Sequence, residues 1–188
     1  MKDRQYGNSL DQIRKDHTER YFFAAKHIPN GSKVLDLACG CGYGSWIIQN
    51  SCNAEVTAVD IELEAIQWGQ LNFSGPTYLC QSAQETFGSY DVLVSFETLE
   101  HLDDPMQVLR IETPLVIASV PNQERMMFDP SAYSADKYPH KRHYTPRQFD
   151  ELLEGAGLTI VKRCSQGNRK SPVEEGTNGI SLVYVCKR

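Results

Sequence analysis

No stretch of this 188-residue chain approaches the roughly 18 consecutive apolar residues that a membrane-spanning helix needs. A helical membrane span is thereby excluded, and no membrane partner is expected. The opening residues, M-K-D-R-Q-Y-G-N-S, hold no apolar core of the secretory type, so a cytoplasmic location is expected. No C-x-x-C pair occurs among the six cysteines at positions 39, 41, 52, 80, 164 and 186. Their spacing argues against a zinc site or a disulfide framework and for reduced, mostly buried thiols. Basic excess is also missing. The formal charge of −5 disfavours a general nucleic-acid binder, although a local basic patch is compatible with it. Internal repeats are absent, and the length fits one domain, residues 1–188, with a sizeable core.

What is present is concentrated in residues 34–44, V-L-D-L-A-C-G-C-G-Y-G. An apolar run ends in a carboxylate, Asp36, and a loop with glycines at 40, 42 and 44 follows. Glycine tolerates the tight turn between a strand and a helix and lets a ligand approach the backbone. The free N–H groups at the start of the next helix suit an electron-rich ligand. Asp60, in A-V-D-I, closes the next apolar run at the distance from the loop where an acid can hold ribose hydroxyls. These features describe a nucleoside cofactor site. The dinucleotide fingerprint G-x-G-x-x-G is not matched, because Ser45 holds its third glycine place. Asp36 at the mouth of the loop would repel a pyrophosphate and attract a cation. S-adenosylmethionine (SAM) carries an ammonium and a sulfonium and no phosphate, so SAM is favoured over NAD.

Periodicity and turn residues place the elements. Residues 1–15 read as a loose arm. Residues 16–28 carry Tyr21, Phe22, Ala25 and Ile28 at helical spacing. Strands are expected at 33–38, 55–59, 77–80, 91–96, 115–120, 158–164 and 181–186. Helices are expected at 42–50, 62–72, 105–111 and 145–155, with Ile66, Trp68 and Leu71 available for packing. The last helix opens on a Thr cap followed by Pro and closes on Gly155 and Gly157. Alternation of strands and helices predicts a doubly wound, mostly parallel sheet with helices on both faces, its ligand beyond the carboxyl ends of the strands. The stretch 121–144, with Met126, Met127, Phe128, Tyr133 and Tyr138, reads as a substrate lid.

The motif D-L-A-C-G-C-G-Y-G followed by A-V-D-I resembles motifs I and II of class I SAM-dependent methyltransferases. Y-D-V-L-V-S-F-E-T-L-E-H-L-D-D-P resembles the fourth-strand motif of the same superfamily. S-V-P-N, H-K-R-H-Y-T-P-R-Q-F and D-H-T-E-R-Y-F-F-A-A resemble a branch that modifies sugars, lipids and other small molecules. The resemblance covers nearly the whole chain and implies a Rossmann-like sheet of seven strands, the last antiparallel. Two departures stand out. Ala38 takes the first glycine place of D-x-G-x-G-x-G, and the K-P-G-G turn before the fifth strand is missing. S-F-E-T replaces the N-P-P-Y of amino-methylating DNA enzymes, which argues against that chemistry.

Expected cofactor contacts follow. Asp36 and the backbone of Ala38, Gly40 and Gly42 face the methionine part, with Arg20 and Tyr21 closing over its carboxylate. Asp60 takes both ribose hydroxyls, and Ile61 covers the adenine face. Ser82, Ala83 and Gln84 border the adenine edge, and Ser95 and Phe96 lie under the sulfonium. The acceptor is expected to be a small molecule or sugar, methylated at oxygen or nitrogen. A hydroxyl acceptor needs a base, for which His101, His140 and His143 are candidates. A competing reading takes Glu97, Glu100, His101 and His140 as a divalent-metal site. Its E-x-x-E-H resembles small-RNA 3′-end 2′-O-methyltransferases and ubiquinone-pathway O-methyltransferases. Lys137, Lys141, Arg142 and Arg147 would then meet phosphate. A third reading is a non-catalytic SAM-binding module.

Overall fold

The structure is a computed structural model and describes residues 5–188. Most of the loose arm expected at 1–15 is described, and it includes a single 3-10 turn at Leu10–Gln12; residues 1–4 lie outside the described residues. Thirteen helices and strands follow in chain order. They are α1 (Lys15–Ala25), β1 (Lys33–Leu37), α2 (Tyr43–Cys52), β2 (Glu55–Asp60), α3 (Leu63–Asn72), β3 (Thr77–Cys80), β4 (Val92–Phe96), α4 (Pro105–Leu109), β5 (Leu115–Pro121), α5 (Pro146–Gly155), β6 (Thr159–Gln166), β7 (Val173–Glu175) and β8 (Ser181–Lys187). They build an eight-stranded sheet in the order β3-β2-β1-β4-β5-β8-β6-β7. Strands β1 to β5 pair in parallel, and β8 runs antiparallel to both β5 and β6.

The expected strand count is corrected from seven to eight. β6 runs two residues past Cys164, and Ser165 and Gln166 pair with Glu174 and Val173 of β7. The segment S-P-V-E-E-G shows no alternation, so nothing local marks it as a strand. Its pairing comes from the edge that β6 offers.

The parallel strands are buried on both faces, and their side chains feed two cores. Val34 and Val94 join Tyr21, Ala24, Tyr43 and Ile47 under α1 and α2. Leu35, Leu37 and Leu93 join Leu99, Tyr144, Phe149 and Leu153 under α5. Helix α5 starts with a full capping box, in which Thr145 and Gln148 satisfy each other's backbone N–H, and Pro146 sits at the first turn. Two expected packing residues are corrected. Leu71 is 83 % exposed and Phe22 is 40 % exposed. On α3 the contact with β3 is made by Gly69, where an added Cβ would lie 2.7 Å from the Tyr78 ring.

Strand order reverses between β1 and β4, and the C-terminal ends of those strands open a crevice there. The stretch 121–144, expected as a substrate lid, contributes Met126, Tyr133 and residues 136–141 to its wall. Asn122 bridges to Tyr144, and Gln123 N–H donates to the Tyr144 carbonyl at 2.9 Å, so residues 123–143 loop out from a clasped neck. Five cysteines are buried, Cys80 is exposed, and all six are free thiols. Among the described residues, no helix is long and apolar enough to cross a membrane.

Candidate functional site

A cavity of about 680 Å³ occupies the crevice. Its cofactor side is built by the loop after β1. Cys39 N–H donates to the Val59 carbonyl at 2.9 Å, which ties the loop to β2. Asp60 closes β2 and accepts from Gly40 N–H and from Glu62 N–H, each at 2.9 Å and each on a different oxygen. Those two amides fix the carboxylate plane at the cavity wall. A carboxylate has about four lone-pair sites, so acceptor capacity remains on both oxygens.

The three loop glycines have separate reasons. Gly40 has φ of +56°, and a Cβ built there meets nothing within 4 Å, so this position opens onto space. Gly42, at φ +79°, would bring a Cβ to 2.4 Å from the Tyr78 hydroxyl. At Gly44 a Cβ would stand 2.0 Å from the Tyr21 ring. Only the first leaves open space beside the backbone; the others admit aromatic rings. Ala38 sits in the left-handed region at φ +61°, where glycine is at ease and alanine is strained.

Asp36 is wholly buried. Its oxygens accept from the Tyr21 hydroxyl at 3.2 Å and the Ser45 hydroxyl at 2.5 Å. Burial raises its pKa to about 7 against the pull of those two donors. Tyr21 in turn lines the cavity and meets Phe96 edge-on at 5.0 Å.

A second station lies where the turn Leu99–His101 meets the lid. Glu100, His101 and His140 bring one ligand atom each to within 4.8 Å of one another. The His101 and His140 rings meet edge-on at 4.6 Å, and Tyr133 stacks flat on His140 at 4.0 Å. His143 lies 2.6 Å from the Met126 carbonyl through Nδ1. A carbonyl only accepts, so we assign the His143 proton to Nδ1 and its acceptor lone pair to Nε2. His140 Nδ1 and the Tyr133 hydroxyl both reach that nitrogen, at 3.0 and 3.1 Å, and compete for its single lone pair. Desolvation, followed by the fields of His101 and His143, lowers the His140 pKa to about 3. The ring is therefore neutral near pH 7.

A family model for a methyltransferase domain matches residues 10–163. The chain belongs to the class I SAM-dependent methyltransferase family. A ubiquinone biosynthesis O-methyltransferase of Aeromonas salmonicida is 30 % identical over 154 residues, which is 69 % of this chain and 64 % of that protein. A homologous enzyme of Xanthomonas axonopodis pv. citri is 35 % identical over 111 residues, covering 55 % of this chain and 44 % of that protein. The chain thus spans less than two thirds of the length of these curated relatives. The CcbJ methyltransferase of Streptomyces caelestis superposes with a TM-score of 0.72 at 16 % identity, covering 100 % of this chain and 99 % of that one. The Burkholderia thailandensis 1,6-didemethyltoxoflavin-N1-methyltransferase, solved with S-adenosylhomocysteine, gives 0.70 at 18 % identity, covering 97 % and 82 %.

Within this methyltransferase domain the structure sorts the expected site residues. Tyr21, Ala38, Gly40, Asp60, Ile61, Ser82, Ala83, Gln84, Phe96, His101 and His140 line the cavity. Asp36, Gly42, Ser95 and His143 stand behind its wall. Ser95 and Asp36 have no exposed surface, and His143 is engaged at both nitrogens. Glu97 departs from the expected metal set: its carboxylate accepts from the Ser119 hydroxyl at 2.8 Å. The cations expected to meet phosphate are engaged with the protein itself. Lys137 pairs with Glu62, Lys141 with Asp103 and Arg147 with Glu151, and Arg142 donates to the Leu102 carbonyl. Sequence reasoning missed His17, Tyr43 and Glu62 on the wall. His17 stands four residues before Tyr21, the helical spacing that puts both on one face.

Proposed function

We propose that this chain transfers a methyl group from SAM to an oxygen of a small molecule. The observation that carries the reading is Asp60, oriented by two backbone amides beside the open Gly40 on the cavity wall. The residues fit the cofactor: Asp60 would accept from the ribose hydroxyls, Gly40 leaves room for close approach, and Ile61, Ser82 and Ala83 would border the base. SAM supplies, when bound, a methyl group activated on a sulfonium. The chain's own task is to place the acceptor and take its proton, and His101 and His140 bring imidazoles to the cavity wall for that. Support for oxygen comes from the names of the curated relatives, which are O-methyltransferases. The engagement of Lys137, Lys141, Arg142 and Arg147 within the protein favours a small acceptor over an RNA end.

Calorimetric titration with S-adenosylhomocysteine tests the cofactor site, with NAD in parallel. We expect binding of the first and none of the second. Asp60→Ala should weaken that binding by about 1–3 kcal/mol, the cost of hydrogen bonds lost to a polar ligand. Unchanged affinity in the variant would remove Asp60 from the site.

A second reading is favoured by the convergence of Glu100, His101 and His140. One carboxylate and two imidazoles suit a divalent transition ion, which would bind acceptor hydroxyls and lower their pKa. Turnover would then fall at least tenfold on chelation and return with manganese, and His140→Ala would abolish the return. Full turnover in EDTA sinks this reading.

A further inference from the structure

The wall of the cavity is electrically uneven. Arg14, Arg20 and Arg169 gather around His17 with two acids near them, Asp16, which holds Arg14 in a two-pronged ion pair, and Glu97, so the cations are in excess. Arg20 is 3 % exposed, yet its guanidinium donates at 2.9 Å to a neutral amide oxygen, that of Gln166. Gln166 is itself held in place, donating to the carbonyls of Asp16 at 3.0 Å and Ser171 at 2.8 Å. A buried guanidinium bonded to an amide keeps its full charge, and a buried charge is costly until an opposite charge joins it. Elsewhere on the wall the acids outnumber the lysines. The sequence expectation sets Arg20 over the cofactor's carboxylate, but a cofactor with one carboxylate, one ammonium and one sulfonium is net positive and has no use for three guanidiniums.

Arginines and imidazoles also enter from different sides. Helix α1, which carries Arg20, packs with the core under α2; the turn carrying His101 packs with the core under α5. An acceptor can therefore be gripped at one end and presented at the other.

We propose that the methyl acceptor carries a carboxylate or a phosphate, seated on Arg20 with Arg14 and Arg169 beside it. This rests on the methyl-transfer reading above. Forked guanidinium donors match both anions.

The test uses the full chain saturated with S-adenosylhomocysteine and titrated with benzoate, benzamide and inorganic phosphate by calorimetry. Benzoate or phosphate should bind at least tenfold more tightly than benzamide, and the stronger of the two identifies the anion. Arg169→Ala, an exposed change that leaves folding intact, should lower that affinity several-fold. Arg20→Gln should remove it. In both variants the affinity for S-adenosylhomocysteine should stay within twofold. Equal binding of benzoate and benzamide, or no anion binding at all, overturns the proposal. So does a large loss of S-adenosylhomocysteine affinity in Arg20→Gln, which would hand the guanidinium to the cofactor's own carboxylate. Failure of the unaltered chain to bind S-adenosylhomocysteine would instead strike the methyl-transfer reading itself.

Discussion

Three glycines that look alike in D-L-A-C-G-C-G-Y-G answer to three different neighbours. Gly40 faces open space, whereas Gly42 faces Tyr78 and Gly44 faces Tyr21. Gly40→Ala should fold, at a strain of about 1 kcal/mol for a left-handed alanine, and should lose at least tenfold in S-adenosylhomocysteine affinity. Gly44→Ala should instead destabilise the protein by about 1–3 kcal/mol, because the Tyr21 ring is buried and must shift. Chemical denaturation and calorimetry on the two variants separate the effects; equal stability in both would contradict the assignment. Glu97 shows the same limit of residue-level reading. Its place in E-T-L-E-H suggests a metal ligand; it does line the cavity, but its backbone at φ +50° and its bond to Ser119 hold it apart from the group of Glu100, His101 and His140. Spacing along a chain does not record backbone sign, so only the folded loop separates Glu97 from Glu100.

At the level of elements, hydrophobic period and turn residues located the helices and parallel strands to within a few residues, because each carries its own burial pattern. β7 carries none and was invisible. The stretch 121–144 is legible as long and aromatic, but its anchors are not. Residues 136–141 run across the cavity between two attachments. At one end Tyr138 donates to Glu62 at 2.6 Å and Lys137 pairs with the same carboxylate oxygen. At the other, Lys141 N–H donates to the Glu100 carbonyl at 2.8 Å. Glu62 is also the residue whose amide orients Asp60. The first attachment is made by side chains alone. Tyr138→Phe should therefore speed dissociation of S-adenosylhomocysteine about 3–10-fold, for a lost hydrogen bond to a charged group. Stopped-flow displacement measures this, and an unchanged rate would mean that the cofactor does not leave past this anchor.

For the molecule as a whole, one buried and one half-buried group tie stability to pH in opposite directions. Asp36 keeps its proton up to about pH 7 when folded and loses it near 3.8 in an unfolded chain. Its contribution is complete below 3.8 and is gone once pH has risen through 7. His17, which hydrogen-bonds Tyr43 at 2.9 Å, has its pKa lowered to about 3 by burial, then by Arg20. Its contribution is present above 6.5 and is lost as pH falls towards 3. The advantage of the natural chain over Asp36→Asn should thus shrink between pH 4 and 7, by on the order of 2–4 kcal/mol. His17→Gln should blunt the loss of stability below pH 6.5. Denaturant titrations across this range check both signs, and parallel curves for all three proteins would refute them. The sequence by itself determined the alternating fold, the cofactor loop and the acid at the end of β2, because these depend on local period, turn chemistry and short spacings. Tertiary structure alone decided that Asp36 lies behind the wall, that His140 joins Glu100 and His101, and that Arg14, Arg20 and Arg169 share one end of the cavity. Those groupings join residues far apart in the chain, and only the crossovers of the sheet bring them together.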